Sequence, residues 1–278
     1  MTVAVMFALF LLAAVLSPLE RAVAYLTAEV PRWRAENGCF SCHNNGDGAR
    51  ALYLAGVGAT GPALRETTAW LGTPELWDSN RGDPAVSDKK LARIQFGAAL
   101  LASGRKGPVC AAAAVIAKDR GADGAWTVDA GSPATYGTAL ATYYARQVLR
   151  ACGMETGLTD AWLAALRPGS VVEAAAQLMA VPDKAGAKAY LLRAQGADGG
   201  WGEHPGLPAQ VFDTAVAVIA LRGKGAGAAV VRGRAWLVKG QREEGGWPET
   251  TRPPGAQSYA QHISTTAWAT MALMDAER

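Results

Sequence analysis

The sequence predicts an all-α protein in which twelve helices form six antiparallel hairpins, set side by side and closing into a ring. Three observations predict it. Apolar residues recur at helical spacing between breaks, and 32 Gly and 14 Pro punctuate the apolar stretches. The block Arg232-Gly-x-x-Trp-Leu-x-x-x-Gln-x-x-x-Gly-x-Trp247 is echoed at the same internal spacing by Tyr190 to Trp201, so the chain is built from a repeated unit. One hairpin cannot bury both of its faces. Six in a row can, and a complete turn leaves no exposed end, with an open solenoid as the runner-up.

Taken in order, the expected pairs are 18–30 with 46–57, 62–77 with 88–103, 108–118 with 134–151, 158–167 with 169–181, 184–195 with 209–222, and 229–240 with 262–276. Weaker copies of the block mark the early units at Arg21-Ala22 with Tyr25-Leu26, at Arg65 with Trp70-Leu71, and at Gly124-x-Trp126. In each unit a first amphipathic helix ends near the Gly, the loop turns the chain, and a second, Ala-rich helix follows. The second helices carry more Ala, Gly and Thr, which lets them crowd around a centre, so they are expected inside. Asp213 opens the inner helix of the fifth unit and Asp47 that of the first; both are expected to cap their helices.

Ahead of the repeats, Val3 to Leu16 is an uninterrupted apolar run without a Lys or Arg before it. It is short for a membrane span and is expected to be an export signal or membrane anchor over residues 1–17, leaving 18–278 as a single ring domain. Export places the protein in the periplasm, or anchored to a membrane and facing it. Half the residues are hydrophobic, enough for a large core, and a net charge of +3 with no basic stripe argues against nucleic acid as a partner. The partner is expected to be small or apolar.

The two strongest blocks resemble the QW repeat of squalene-hopene cyclases, and the six-pair count resembles the α6/α6 toroid that those enzymes share with protein prenyltransferases. The resemblance covers roughly residues 18–278. It implies that Gln195, Trp201, Gln241 and Trp247 tie neighbouring outer helices together. It also implies a site. The cyclases protonate an alkene with the middle acid of an Asp-x-Asp-Asp-Thr-Ala motif and carry a second helical domain. Here the matching stretch is Gln210-Val211-Phe212-Asp213-Thr214-Ala215, with Phe212 in place of the donor and Asp213 as the surviving acid and catalytic candidate. The prenyltransferases hold zinc on an Asp, a Cys and a His; Asp213 and His262 fall near two of those positions, and Ala215 stands where the Cys would be.

Residues 39 to 43 read Cys-Phe-Ser-Cys-His, the spacing at which two thiols add to the vinyl groups of one porphyrin and the following His ligates its iron. A c-type haem on Cys39, Cys42 and His43 is therefore expected, with zinc or a local Cys39–Cys42 disulfide as alternatives. Aligning the units places His43 and His262 just before inner helices. Ring closure would bring them together as the two axial or metal ligands, with His204 on the same rim as the alternative. Met271 and Met274 read as core. Cys110 opens the outer helix of the third unit and Cys152 ends its inner helix, so antiparallel pairing brings both to the other rim, where they are expected to form a disulfide. Tyr53, Phe96, Tyr136, Tyr143, Tyr144, Phe212, Tyr259 and Trp268 on inner helices offer a lining for a lipid, isoprenoid or quinone. The expected function is electron transfer or redox and ligand sensing with a redox protein partner or membrane complex. The alternatives are an isoprenoid-binding or terpenoid cyclase or prenyltransferase-like enzyme with a degenerate motif, and a non-catalytic repeat scaffold.

Overall fold

The computed structural model describes residues 16–80, 88–128, 136–250 and 258–275. The outer helices are α1 (Pro18–Asn37), α3 (Arg65–Leu71), α5 (Lys106–Ala117), α7 (Gly157–Ala165), α9 (Ala185–Ala194) and α11 (Gly227–Gly240). The inner helices are α2 (Ala49–Leu54), α4 (Lys89–Ala102), α6 (Gly137–Ala151), α8 (Val171–Ala180), α10 (Val211–Leu221) and α12 (Tyr259–Leu273). A π-helical turn, Cys42–Gly48, leads directly into α2, and a 3-10 turn, Pro74–Ser79, follows α3. The result is the all-α, α6/α6 toroid.

The inner helices form an unbroken circle. Each packs on the next from α4 through α6, α8 and α10 to α12, and both α12 and α4 pack on the π-helical turn before α2. Burial separates the two layers. Ten of the eleven residues of α10 are buried, whereas α7, α9 and α11 bury a single stripe such as Ala187, Leu191 and Ala194. Small residues permit the inner crowding, since a Cβ on Gly97 of α4 would meet Ile116 at 2.6 Å.

The repeat has a physical role that recurs. Gln195 donates to the carbonyls of Gly199 and Ala229 at 2.8 and 2.9 Å and accepts from Arg232, which ties the fifth unit to the sixth. Gln241 donates to Gly245 and Pro18 at 2.9 and 2.8 Å and accepts from Arg21 at 2.6 Å, which ties the sixth unit to the first. The same bond set thus closes the ring. The indole N–H groups of Trp126, Trp201 and Trp247 donate to Ile116, Leu191 and Leu237 at 2.8, 2.7 and 2.7 Å, so each buried ring pins its loop to the helix before it. Gly199 and Gly245 lie at φ +94° and +100° and abut the backbone of Arg232 and Arg21, a place where a side chain has no room.

Two details depart from expectation. Helix α1 runs past Pro31 to Asn37, beyond the anticipated end at 30, and closes on Gly38 at φ 66°. In the first unit a π-helical turn from Cys42 precedes the inner helix, which itself begins at Ala49 instead of 46. The apolar run lies outside the described residues apart from Leu16; Ser17 caps α1 in a reciprocal pair with Glu20. No described helix is long and apolar enough to cross a membrane.

Candidate functional site

At the centre of the toroid stands a buried carboxylate. Asp47 is fully buried in the π-helical turn, whose backbone is set by Ser41 capping His43 and Asn44 and by Asn45 reaching Val30 and Thr67. Gly46 and Gly48 let this turn press against Gln95 and Val30, where a Cβ would come within 3.1 and 2.9 Å. Such π-turns inside helices commonly mark sites. Three side chains from three other inner helices converge on the carboxylate. Gln95 of α4 donates to Oδ2 at 2.8 Å, Tyr136 before α6 donates to Oδ1 at 2.8 Å, and Ser264 of α12 donates to Oδ2 at 2.6 Å. Asp47 therefore does not cap a helix, a correction to the sequence reading: its lone pairs are used across the ring.

One turn on, Arg50 of α2 donates Nη2 to the Tyr144 hydroxyl at 2.8 Å and lies 4.0 Å over the Tyr144 ring and 5.2 Å from the centre of the Trp268 ring. Trp268 in turn meets Tyr136, Tyr144 and Phe212 at centroid distances of 5.5, 5.8 and 5.4 Å. The edge-to-face arrangement of these rings makes a stiff aromatic cage beside the carboxylate. Burial raises the Tyr136 hydroxyl well above its ordinary pKa, and the neighbouring Asp47 charge adds to the effect, so it remains a donor.

Asp213 is also fully buried, but it occupies the first turn of α10, and Gln210 holds the cap position without a side-chain bond. Its expected capping role is corrected accordingly. Phe212, at the position of the missing proton donor, is buried against Trp268.

The three histidines sit at or before the starts of inner helices, on one rim, yet each has its own neighbours. His43 Nδ1 lies 3.4 Å from the Cys42 sulfur. His262 faces the Tyr25 ring at 5.7 Å, the Arg242 guanidinium at 3.4 Å and the Glu249 carboxylate at 3.6 Å. His204 is exposed and bonds the Gly169 carbonyl at 2.8 Å. Among the described residues no hydrogen bond or ring contact joins His43 to His262, and no group of three or more His, Cys, Asp and Glu side chains could hold a metal. Burial lowers the pKa of His43, and burial with the Arg242 charge lowers that of His262, so both are neutral near pH 7.

Cys39 and Cys42 are free thiols. Cys42 packs against the core, and burial, helped by the Asp47 charge, pushes its thiol up to about 12. The half-buried Cys42 sulfur packs against the core with the His43 imidazole beside it. Cys110 and Cys152 are bonded to each other, with Cα atoms 5.3 Å apart, joining the start of α5 to the end of α6.

Sequence reasoning passed over Arg50, Gln95 and Ser264. Arg50 carried a signal, since a charged residue one turn after Asp47 on an inner helix must face the centre.

No family model matches the chain. The chain is similar in fold to the apo structure of the type II terpene cyclase MstE from Scytonema, with a TM-score of 0.58, 15% sequence identity, and coverage of 92% of this chain and 98% of that one. A stretch of 59 residues, 21% of the chain, is 48% identical to drimenyl diphosphate synthase from Streptantibioticus cattleyicolor and spans 11% of that protein's length.

Proposed function

We propose that the chain binds an isoprenoid in the aromatic interior of its terpenoid-cyclase-like toroid. The observation that carries this reading is the cage of Tyr136, Tyr144, Phe212 and Trp268 closing on the buried Asp47. Aromatic and aliphatic walls suit a branched hydrocarbon chain, whose burial contributes roughly 25 cal/mol per Å². A few fixed polar groups then orient it. The short stretch shared with a drimenyl diphosphate synthase supports the same chemical class of ligand.

Cyclisation would need a proton donor, and a phenyl ring stands where the cyclase motif has its acid. Asp47 stands beside the cage with its oxygens engaged by Gln95, Tyr136 and Ser264, and Asp213 is the acid that matches the motif. The test is titration calorimetry with prenyl alcohols and prenyl diphosphates of ten to twenty carbons, paired with product analysis by gas chromatography and mass spectrometry. Binding with a negative heat-capacity change is expected. Absence of binding by every chain overturns the reading; a cyclised product lost in Asp213→Asn extends it to catalysis.

The Cys39-Phe40-Ser41-Cys42-His43 spacing supports a second reading, covalent haem with a role in electron transfer, and with it export, since this attachment takes place outside the cytoplasm. It requires the Cys42 thiol and the His43 ring to leave their present packing. A haem-stained denaturing gel of protein made with haem-maturation machinery tests it, and a colourless protein ends it.

A further inference from the structure

The aromatic cage already contains a cation. Rings such as Tyr144 and Trp268 attract positive charge to their faces, and the Arg50 guanidinium lies over both, at 4.0 and 5.2 Å from the ring centres. Its hydrogen bonding is thin for a half-buried guanidinium. Nη2 reaches the Tyr144 hydroxyl, while Nη1 is buried with no partner, although a guanidinium carries five donors. Ring faces and the nearby Asp47 charge, rather than a fork of acceptors, hold Arg50 in place.

We propose that Arg50 fills an organic-cation site inside the toroid and thereby determines what the interior accepts: a prenyl chain without positive charge is admitted, and a cationic one is refused. A second cation in the cage would meet the guanidinium at short range with little water between them to screen it. The same residue opposes positive charge forming on a bound hydrocarbon. The existence of the cation site stands on the ring and guanidinium geometry alone; the selection among prenyl chains rests on the isoprenoid reading above.

Two measurements test the two halves. In the first, Arg50→Ala is titrated with methylguanidinium and with its uncharged isostere methylurea at millimolar concentration, and affinity is read from the rise in melting temperature. The variant is expected to take methylguanidinium at least tenfold more tightly than methylurea, with no such difference in the wild type. Equal response to both compounds, or the same preference in the wild type, overturns the cation site. In the second, the wild type and Arg50→Met, which keeps an apolar stem of similar length, are titrated with a prenyl alcohol and with the dimethylammonium analogue of the same chain. The wild type is expected to prefer the alcohol by at least tenfold, and Arg50→Met to lose that preference. Equal binding of both ligands by the wild type overturns the selection. Failure of the wild type to bind any prenyl ligand overturns the isoprenoid reading and the selection built on it, and leaves the cation site to be judged by the first measurement; failure of Arg50→Met alone to bind either ligand overturns the selection.

Discussion

Replacing Asp47 with alanine removes the acceptor shared by Gln95 Nε2, the Tyr136 hydroxyl and the Ser264 hydroxyl, at 2.8, 2.8 and 2.6 Å. A buried donor left without a partner costs roughly 1–3 kcal/mol. Ser264 sits inside α12 and can turn its hydroxyl back to a carbonyl of its own helix, which recovers part of one loss. Tyr136 and Gln95 have no such local exchange, and Arg50 loses its nearby countercharge. The expected destabilisation of Asp47→Ala is about 3–5 kcal/mol, a fall in melting temperature of about 6–20 °C. Asp47→Asn separates hydrogen bonding from charge. The Gln95 Oε1 atom is buried without a partner, so rotating the Gln95 amide lets it accept from the new side chain. The asparagine variant should therefore lose only about 1–2 kcal/mol. Urea denaturation followed by circular dichroism at several temperatures measures both. An alanine variant within about 1 kcal/mol of wild type, or an asparagine variant as damaged as the alanine one, would refute the convergence on Asp47.

Four further outcomes follow from the same contacts. Gly245→Ala forces a side chain at φ +100° against the Arg21 carbonyl at the seam of the ring, so it should destabilise by about 2 kcal/mol or more and open the contact between α1 and the Trp247 loop, read by hydrogen exchange. Reducing the Cys110–Cys152 bond, which spans 42 residues, should lower stability by about 4 kcal/mol in the chain-entropy account, measured by denaturation with and without reductant. Burial pushes both the Cys42 thiol and the Tyr25 hydroxyl up to about 12, so the folded chain keeps protons that the unfolded chain releases. Their contribution to stability is whole below about pH 9 and is lost as pH rises from there towards 12, which a series of melting curves across that range will reveal. Native protein treated with iodoacetamide at pH 8 should be labelled at Cys39 and spared at Cys42, with Cys42 reacting only after unfolding.

Much of the toroid was legible because its repeat is a statement about packing. The Gln of the block recurs at fixed spacing because it joins one unit to the next, the Trp because it pins its loop to the helix before it, and the Arg21-Ala22-Tyr25-Leu26 remnant marked where the last joint would land. The Ala- and Thr-rich helices read as inner ones for the same reason: only small residues allow six helices to meet. Helix ends were less legible. A local capping rule favoured Asp47, but Ser41 begins the turn earlier and the Gly-rich π-turn carries it into α2.

The site was the least legible part because its members are far apart in the chain. Gln95, Tyr136 and Ser264 lie 48, 89 and 217 residues from Asp47, and no spacing rule connects them. Repeat alignment placed His43, His204 and His262 on one rim. It could not assign the direction of each ring, which depends on partners such as Glu249, Gly169 and Cys42 that belong to no repeat position.

Photoaffinity labelling tests the central claim most directly. A diazirine-bearing prenyl alcohol irradiated with the folded protein should cross-link to peptides of α6, α10 and α12 that carry Tyr144, Phe212 and Trp268, and excess unlabelled prenyl alcohol should suppress the signal. Cross-links confined to outer helices such as α9 and α11, or none that competitor removes, would contradict an isoprenoid inside the ring.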